Sequence, residues 1–134
     1  SIWKGVVMGG GVGLSIYGDY RVATEMTKFA MPETSIGFFP DVGGSFFLSK
    51  LQNNIGKYIG LTSEVINSRD LLNFGLATHY CPENKLDDFI DNYISDGVVR
   101  NYKTSISSLF SDKKLDFINK NFSGNIHEIF RANF

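Results

Sequence analysis

The sequence predicts an α/β fold carrying a helical extension, on three observations. Short β-branched segments alternate with glycine-led turns and brief helical stretches as far as Leu76, apolar residues recur at helical spacing afterwards, and most of the 14 glycines fall in the first half. Alternating strands and helices pack as layers on a shared core, while a later amphipathic stripe adds helices to the outside. A chain of 134 residues is near the commonest domain size, so one core is expected. Residues 1–81 form the α/β part of that single domain and 82–134 the helical part.

Residues 2–7 are apolar and rich in β-branched types, which reads as a strand. They run into Met8-Gly9-Gly10-Gly11-Val12-Gly13, which a strand interior does not tolerate, so a turn follows. Residues 12–17 are apolar or small and end at Gly18, the pattern of a short buried helix. Residues 20–24 and 28–31 read as strands flanking the polar connector Glu25-Met26-Thr27. Pro32 ends the second of these. Residues 33–44 then hold Gly37, Pro40, Gly43 and Gly44 in a long structured loop, a type of segment that commonly carries function.

Residues 45–51, 55–61 and 68–74 fit helices, the last with Ser68 as N-cap and Gly75 as C-cap. Residues 77–81 form a short strand ended by Pro82. Beyond it Leu86, Phe89, Ile90, Tyr93 and Ile94 recur on one helical face. Ile106, Leu109 and Phe110, then Phe117 and Ile118, continue the helical pattern, and Ile126, Ile129 and Phe130 begin a last helix. No internal repeat is evident.

Composition narrows the function classes. With 43% hydrophobic and 20% charged residues the chain is neither disordered nor collagen-like, and no apolar run approaches the ~18 residues of a membrane span. Thirteen basic against fourteen acidic residues leave a net charge of -1, which is no footprint for nucleic acid or an anionic membrane surface. Cys81 is the single cysteine, so no internal disulfide forms, and His79 and His127 are too far apart for a local metal motif. The chain begins at Ser1 without an initiator Met, a signal peptide or a transit pattern. It is expected to be a piece of a longer protein.

Two places could carry chemistry. Glycine lets backbone approach a ligand, and N–H groups at the start of a helix lack intrahelical partners. The run lacks the third glycine of a dinucleotide fingerprint and is followed by no Gly-Lys-Ser/Thr, so both nucleotide readings fail. Two remain: the Gly10 N–H stabilises an oxyanion, or the glycines serve close helix–strand packing. The second place is Glu33 with Asp41 in the long loop. Glu33 stands among Met31, Pro32, Ile36, Phe38 and Phe39, and apolar surroundings raise a carboxylate's pKa and suit it to base or nucleophile work. Asp41 reads either as a partner that orients water or a substrate hydroxyl, or as a turn and Asx-type cap in Pro-Asp-Val-Gly-Gly. His79 reads as a satisfied strand histidine, His127 as a residue of a polar helix face, and Cys81 as small apolar filler.

The blocks Met8-Gly9-Gly10-Gly11-Val12-Gly13-Leu14-Ser15, Arg21-Val22-Ala23-Thr24-Glu25, Phe29-Ala30-Met31-Pro32-Glu33-Thr34-Ser35-Ile36-Gly37 and Phe39-Pro40-Asp41-Val42-Gly43-Gly44 together resemble the crotonase (enoyl-CoA hydratase/isomerase) superfamily. More narrowly they resemble its 3-hydroxyisobutyryl-CoA hydrolase branch. The likeness continues through Arg69-Asp70 and Gly75-Leu76-Ala77-Thr78-His79, and weakly to Phe122-Ser123-Gly124-Asn125.

The resemblance implies a crotonase-like ββα spiral, incomplete here, that acts on an acyl-CoA thioester. It implies hydrolysis of 3-hydroxyisobutyryl-CoA to 3-hydroxyisobutyrate and CoA in valine degradation, with enoyl-CoA hydratase or isomerase activity, or a non-catalytic fragment, as the alternatives. Gly10, with Gly9 beside it, takes the place of one oxyanion donor; the other belongs to an upstream segment. Glu33 takes the place of the catalytic carboxylate, and Asp41 that of the residue that binds the substrate hydroxyl or positions water. Hydratases carry a second glutamate where this chain has Gly13. Adding water across a double bond calls for two carboxylates around one water, and Gly13 supplies none. No resident cofactor and no metal is implied, since coenzyme A is part of the substrate. Nucleic acid and membrane are not expected partners, a homo-oligomer is compatible with the resemblance, and the setting is mitochondrial in a eukaryote and cytoplasmic otherwise.

Overall fold

The opening apolar segment does not run on as one strand. Gly5, at φ +75°, bends it into β1 (Ile2–Trp3) and β2 (Val6–Met8), and the two enter different sheets. The same step recurs with β3 (Val22–Ala23) and β4 (Lys28–Ala30): β3 lies parallel beside β1, and β4 parallel beside β2. The chain thus climbs as a spiral, each turn adding one strand to each sheet. β6 (His79–Tyr80) extends the first sheet parallel to β3, and β5 (Ile66–Asn67) closes the second antiparallel to β4. The computed structural model describes residues 1–125. The helix expected at Ile126, Ile129 and Phe130, and His127 with it, lie outside the described residues.

The repeat is structural and leaves no trace in the sequence, because each turn of the spiral ends differently. Past β2 the glycines open α1 (Gly10–Ser15); past β4 the chain winds into a 3-10 turn, Pro32–Ile36. Met8 and Ala30 are partners in register, so Gly9 and Gly10 are set beside Met31, Pro32 and Glu33 at the carboxyl ends of neighbouring strands.

The core fills the space between the sheets and the later helices. Trp3, Phe29, Met31, Ile59, Ile66, Leu71 and Ile118 are all but inaccessible, and the Trp3 and Phe29 rings lie 5.7 Å apart. Trp3 also fixes α1: its Nε1–H donates to Ser15 Oγ at 2.9 Å, and that hydroxyl donates to the Gly11 carbonyl at 2.6 Å. Helix α2 (Gly44–Leu48) crosses α3 (Ile55–Thr62) so closely that a Cβ on Gly56 would overlap the Leu48 carbonyl. Helix α5 (Leu86–Asp96) covers the first sheet through Leu86 and Phe89 against Val22 and Cys81. Helix α6 (Asp112–Asn121) sends Ile118 into the main core.

Two expectations are corrected. The N-cap of α4 (Ser68–Asn73) is Asn67, one residue earlier than Ser68: its side chain accepts from the Asp70 N–H at 3.0 Å, while Ser68 is already helical. The stretch at Ile106, Leu109 and Phe110 is not helical. Its carbonyls and N–H groups bind α4 and the residue that caps it instead. Arg69 Nη2 and Nε donate to the Thr104 and Ile106 carbonyls at 2.6 and 3.0 Å, and Asn67 Nδ2 donates to Ser107 O at 3.0 Å. Asp70 accepts from the Leu109 N–H at 2.8 Å and from the Ser108 hydroxyl. Side-chain bonds to backbone of this kind compete directly with helix formation.

Candidate active site

Gly9 has φ +50° and ψ -119°, a conformation open essentially to glycine alone. Its backbone faces the Glu33 carboxylate so closely that a Cβ there would stand 3.1 Å from Glu33 Oε1. Glu33 is 8% exposed, and its Oε2 is buried without a hydrogen-bond partner among the described residues. Buried polar atoms in folded proteins are nearly always paired, so this carboxylate oxygen is an acceptor with capacity left for a group outside the described residues. Beside it Gly10 and Gly11 are exposed, with open space where side chains would be. Gly10 opens α1, so its N–H has no intrahelical acceptor.

Of the apolar neighbours expected around Glu33, Met31 is buried and Pro32 half-buried, but the other three are exposed. Gly37, at φ +76°, reverses the chain after the 3-10 turn. Ile36, Phe38 and Phe39 therefore point outward at 83%, 50% and 65% exposure, and the two phenylalanine rings stack on each other at 4.5 Å.

Asp41 sits on the following turn and is exposed. Its carbonyl accepts from the Gly44 N–H at 2.6 Å, which closes the turn, but its carboxylate does not cap α2, whose N-cap is Gly43 with no side-chain bond. The turn part of the structural reading holds and the cap part does not. Helix α1 connects this turn to the glycine end. Val42 rests on Gly13, where a Cβ would overlap the valine Cβ and stand 2.8 Å from its Cγ2, and Tyr17 donates its hydroxyl to the Gly43 carbonyl at 3.1 Å. Val42 and Tyr17 were not singled out by the sequence. Gly13, the fourth glycine of the run, was the one hint of a close approach.

His79 lies on the outer strand of its sheet, with Nδ1 2.9 Å from Thr78 Oγ1 and its ring edge-on to Tyr20, and burial lowers its pKa. Cys81 is buried against Leu86 and Phe89, and burial pushes its thiol up, so it carries no activated thiolate. Neither adjoins Glu33. An apolar cleft of about 450 Å³ between α2 and α3, lined by Phe39, Pro40, Leu48 and Leu61, borders the loop but includes neither Glu33 nor Asp41. Among the described residues no three His, Cys, Asp or Glu side chains converge to hold a metal, and no helix is long and apolar enough to cross a membrane.

The geometry can be compared with known proteins. The model of the enoyl-CoA hydratase/isomerase family matches residues 1–133. A relative in Gallus gallus named 3-hydroxyisobutyryl-CoA hydrolase, mitochondrial, is 42% identical over 137 residues, covering 96% of this chain and 35% of that protein. The Arabidopsis thaliana 3-hydroxyisobutyryl-CoA hydrolase 1 is 54% identical over 86 residues, 64% of this chain and 23% of that one. Among solved structures, a carnitinyl-CoA dehydratase from Mycobacterium thermoresistibile superposes with a TM-score of 0.86 at 37% identity, covering 98% of this chain and 40% of that chain. The chain spans about a third of the length of the curated relatives it matches over most of its residues. It belongs to the enoyl-CoA hydratase/isomerase family and has that family's crotonase-like α/β fold.

Proposed function

From membership of the enoyl-CoA hydratase/isomerase family, we infer that this chain carries the catalytic part of an acyl-CoA thioester hydrolase whose substrate is 3-hydroxyisobutyryl-CoA. The observation that carries the reading is the buried Glu33 carboxylate, its Oε2 unpaired among the described residues, set against Gly9, the residue before the open Gly10 N–H. A buried acceptor next to a free backbone donor suits addition to a carbonyl: the donor takes the charge that develops on oxygen, and the carboxylate takes the proton of the attacking water. In that route water oxygen bonds to the thioester carbon and Glu33 takes the proton. The intermediate then collapses with loss of the CoA thiolate, and the proton returns to sulfur. In the second route Glu33 itself attacks, forming a mixed anhydride with release of CoA, and water hydrolyses it. Label found in Glu33 after single turnover in ¹⁸O-water identifies the second route with water attacking the glutamyl carbonyl, because the first route puts the label in the product alone.

Asp41, exposed on the next turn, is assigned to the substrate hydroxyl or the attacking water. Hydration is disfavoured because it needs a second carboxylate, and position 13 has no room for one while Val42 rests there. Coenzyme A enters as part of the substrate, and no resident cofactor is invoked. The hydrolase names of relatives such as the Homo sapiens protein, which is also named mitochondrial, support the substrate and a mitochondrial setting, and valine degradation is the pathway proposed with them.

The test is CoA release from 3-hydroxyisobutyryl-CoA, followed with a thiol reagent, beside loss of the double-bond absorbance of a short enoyl-CoA. The reading expects thiol release by the full-length polypeptide and its loss in Glu33→Gln. Hydration of the enoyl-CoA without thiol release would replace it with the hydratase reading.

A further inference from the structure

Among the described residues four other than glycine have positive φ: Val42, Asn53, Asn54 and Ser63. Asparagine and serine are short and polar, and asparagine is a regular occupant of the left-handed region, but a β-branched residue there is an outlier that persists only where its surroundings enforce it. Val42, at φ +46°, is enforced by α1. Its side chain rests on the bare Cα of Gly13, with Cγ2 and Cγ1 at 2.8 and 3.1 Å from where a Cβ would stand. The next residue, Gly43, is held by the Tyr17 hydroxyl from the last turn of the same segment, and the Tyr17 ring packs against Phe46 and Phe47 of α2. One short helix therefore has its start at Gly9 and Glu33 and its middle under the Asp41 turn.

The geometry points to Val42 as a positioning residue: its contact with Gly13 latches the Asp41 turn to α1, fixing Asp41 relative to the Gly10 N–H and Glu33. The inference rests on the hydrolase reading and adds to it a residue that touches no substrate. Without the latch the turn still forms, through Gly44 N–H to Asp41 O, and the Tyr17 bond still holds Gly43, but nothing fixes the Asp41 end of the turn on α1. Misplacement of a reacting group by about 1 Å costs up to roughly 100-fold in rate.

The test uses the full-length polypeptide with Val42→Gly, Val42→Thr and Gly13→Ala, alone and with Val42→Gly, reading kcat, KM and unfolding temperature. Glycine suits a positive φ, so Val42→Gly should unfold no earlier than wild type while kcat falls about 10- to 100-fold and KM changes little. Val42→Thr keeps the branched shape and should keep kcat. Gly13→Ala drives a methyl into Val42 and should lower kcat on its own. Added to Val42→Gly it should cost little more, because the methyl occupies vacated space. Wild-type kcat in Val42→Gly, or a lowered unfolding temperature with kcat of the folded fraction unchanged, would make Val42 packing filler and overturn the inference. Additive losses in the double variant would do the same. Retained hydrolysis in Glu33→Gln would instead sink the hydrolase reading, whatever Val42 does.

Discussion

Among the described residues two carboxylates are buried, Asp70 and Glu33, and they are treated in opposite ways. Asp70, wholly inaccessible on α4, accepts from the Leu109 N–H and the Ser108 hydroxyl and pins an irregular segment to the core. Glu33, 8% exposed at the strand ends, has an Oε2 with no partner among the described residues. Burying a carboxylate costs free energy that hydrogen bonds must offset. At Asp70 they do, and the residue serves the fold. At Glu33 the deficit stands, as expected of a group kept for the proposed chemistry.

That contrast can be sharpened one neighbour at a time. On the Glu33 side, Gly10→Pro removes the open N–H at the first helical position, which proline suits, so the fold should stand while thiol release falls roughly 100- to 1,000-fold. Turnover within a few-fold of wild type would remove Gly10 from the site. Asp41→Asn should slow release less, roughly 10- to 100-fold, the worth of one hydrogen bond to a charged group, with no change in unfolding temperature, because its carboxylate caps nothing.

On the Asp70 side the effects should appear in stability alone. Asn67→Ala removes the cap on α4 and the bond to Ser107, and should lower stability by about 1 kcal/mol in denaturant titration with kcat intact. The smallest effect belongs to His79. Burial lowers its pKa from 6.5, so the unfolded chain binds the proton more readily and stability falls as pH drops below about 6.5, levelling off under the lowered native pKa. His79→Gln should flatten that slope and leave stability above pH 7 unchanged.

The sequence revealed the outline of both regions but not their contrast. Strands near Val7, Val22 and Phe29, the break at the glycine run, and the stripe of α5 were legible because periodicity and turn residues are local signals. The division of residues 2–7 at Gly5 was not, since nothing local says that two consecutive apolar pairs enter different sheets. The segment at Ile106, Leu109 and Phe110 misled for a related reason: its spacing is helical, but the donors of Asn67 and Arg69 and the acceptor of Asp70, far away in sequence, join the local bonds of Thr104 and Ser108 in holding it irregular. At the site, Glu33, Gly10 and Asp41 stood out by residue type and by family resemblance. The contact of Val42 with Gly13 did not, because a valine between aspartate and glycine gives no sign of a left-handed backbone.

The measurement that bears most directly on this account is a paired one: thiol release and unfolding temperature in Glu33→Gln and Asp70→Asn. Glu33→Gln removes charge from a buried oxygen that has no donor among the described residues, so its unfolding temperature should be unchanged or raised while turnover drops by about 1,000-fold or more. Asp70→Asn keeps the shape but loses the charge-assisted bonds to Ser108 and Leu109, and should lose about 2 kcal/mol of stability with the folded fraction turning over normally. The reverse pattern, an active but destabilised Glu33→Gln beside a stable and inactive Asp70→Asn, would contradict the division of roles between the two carboxylates.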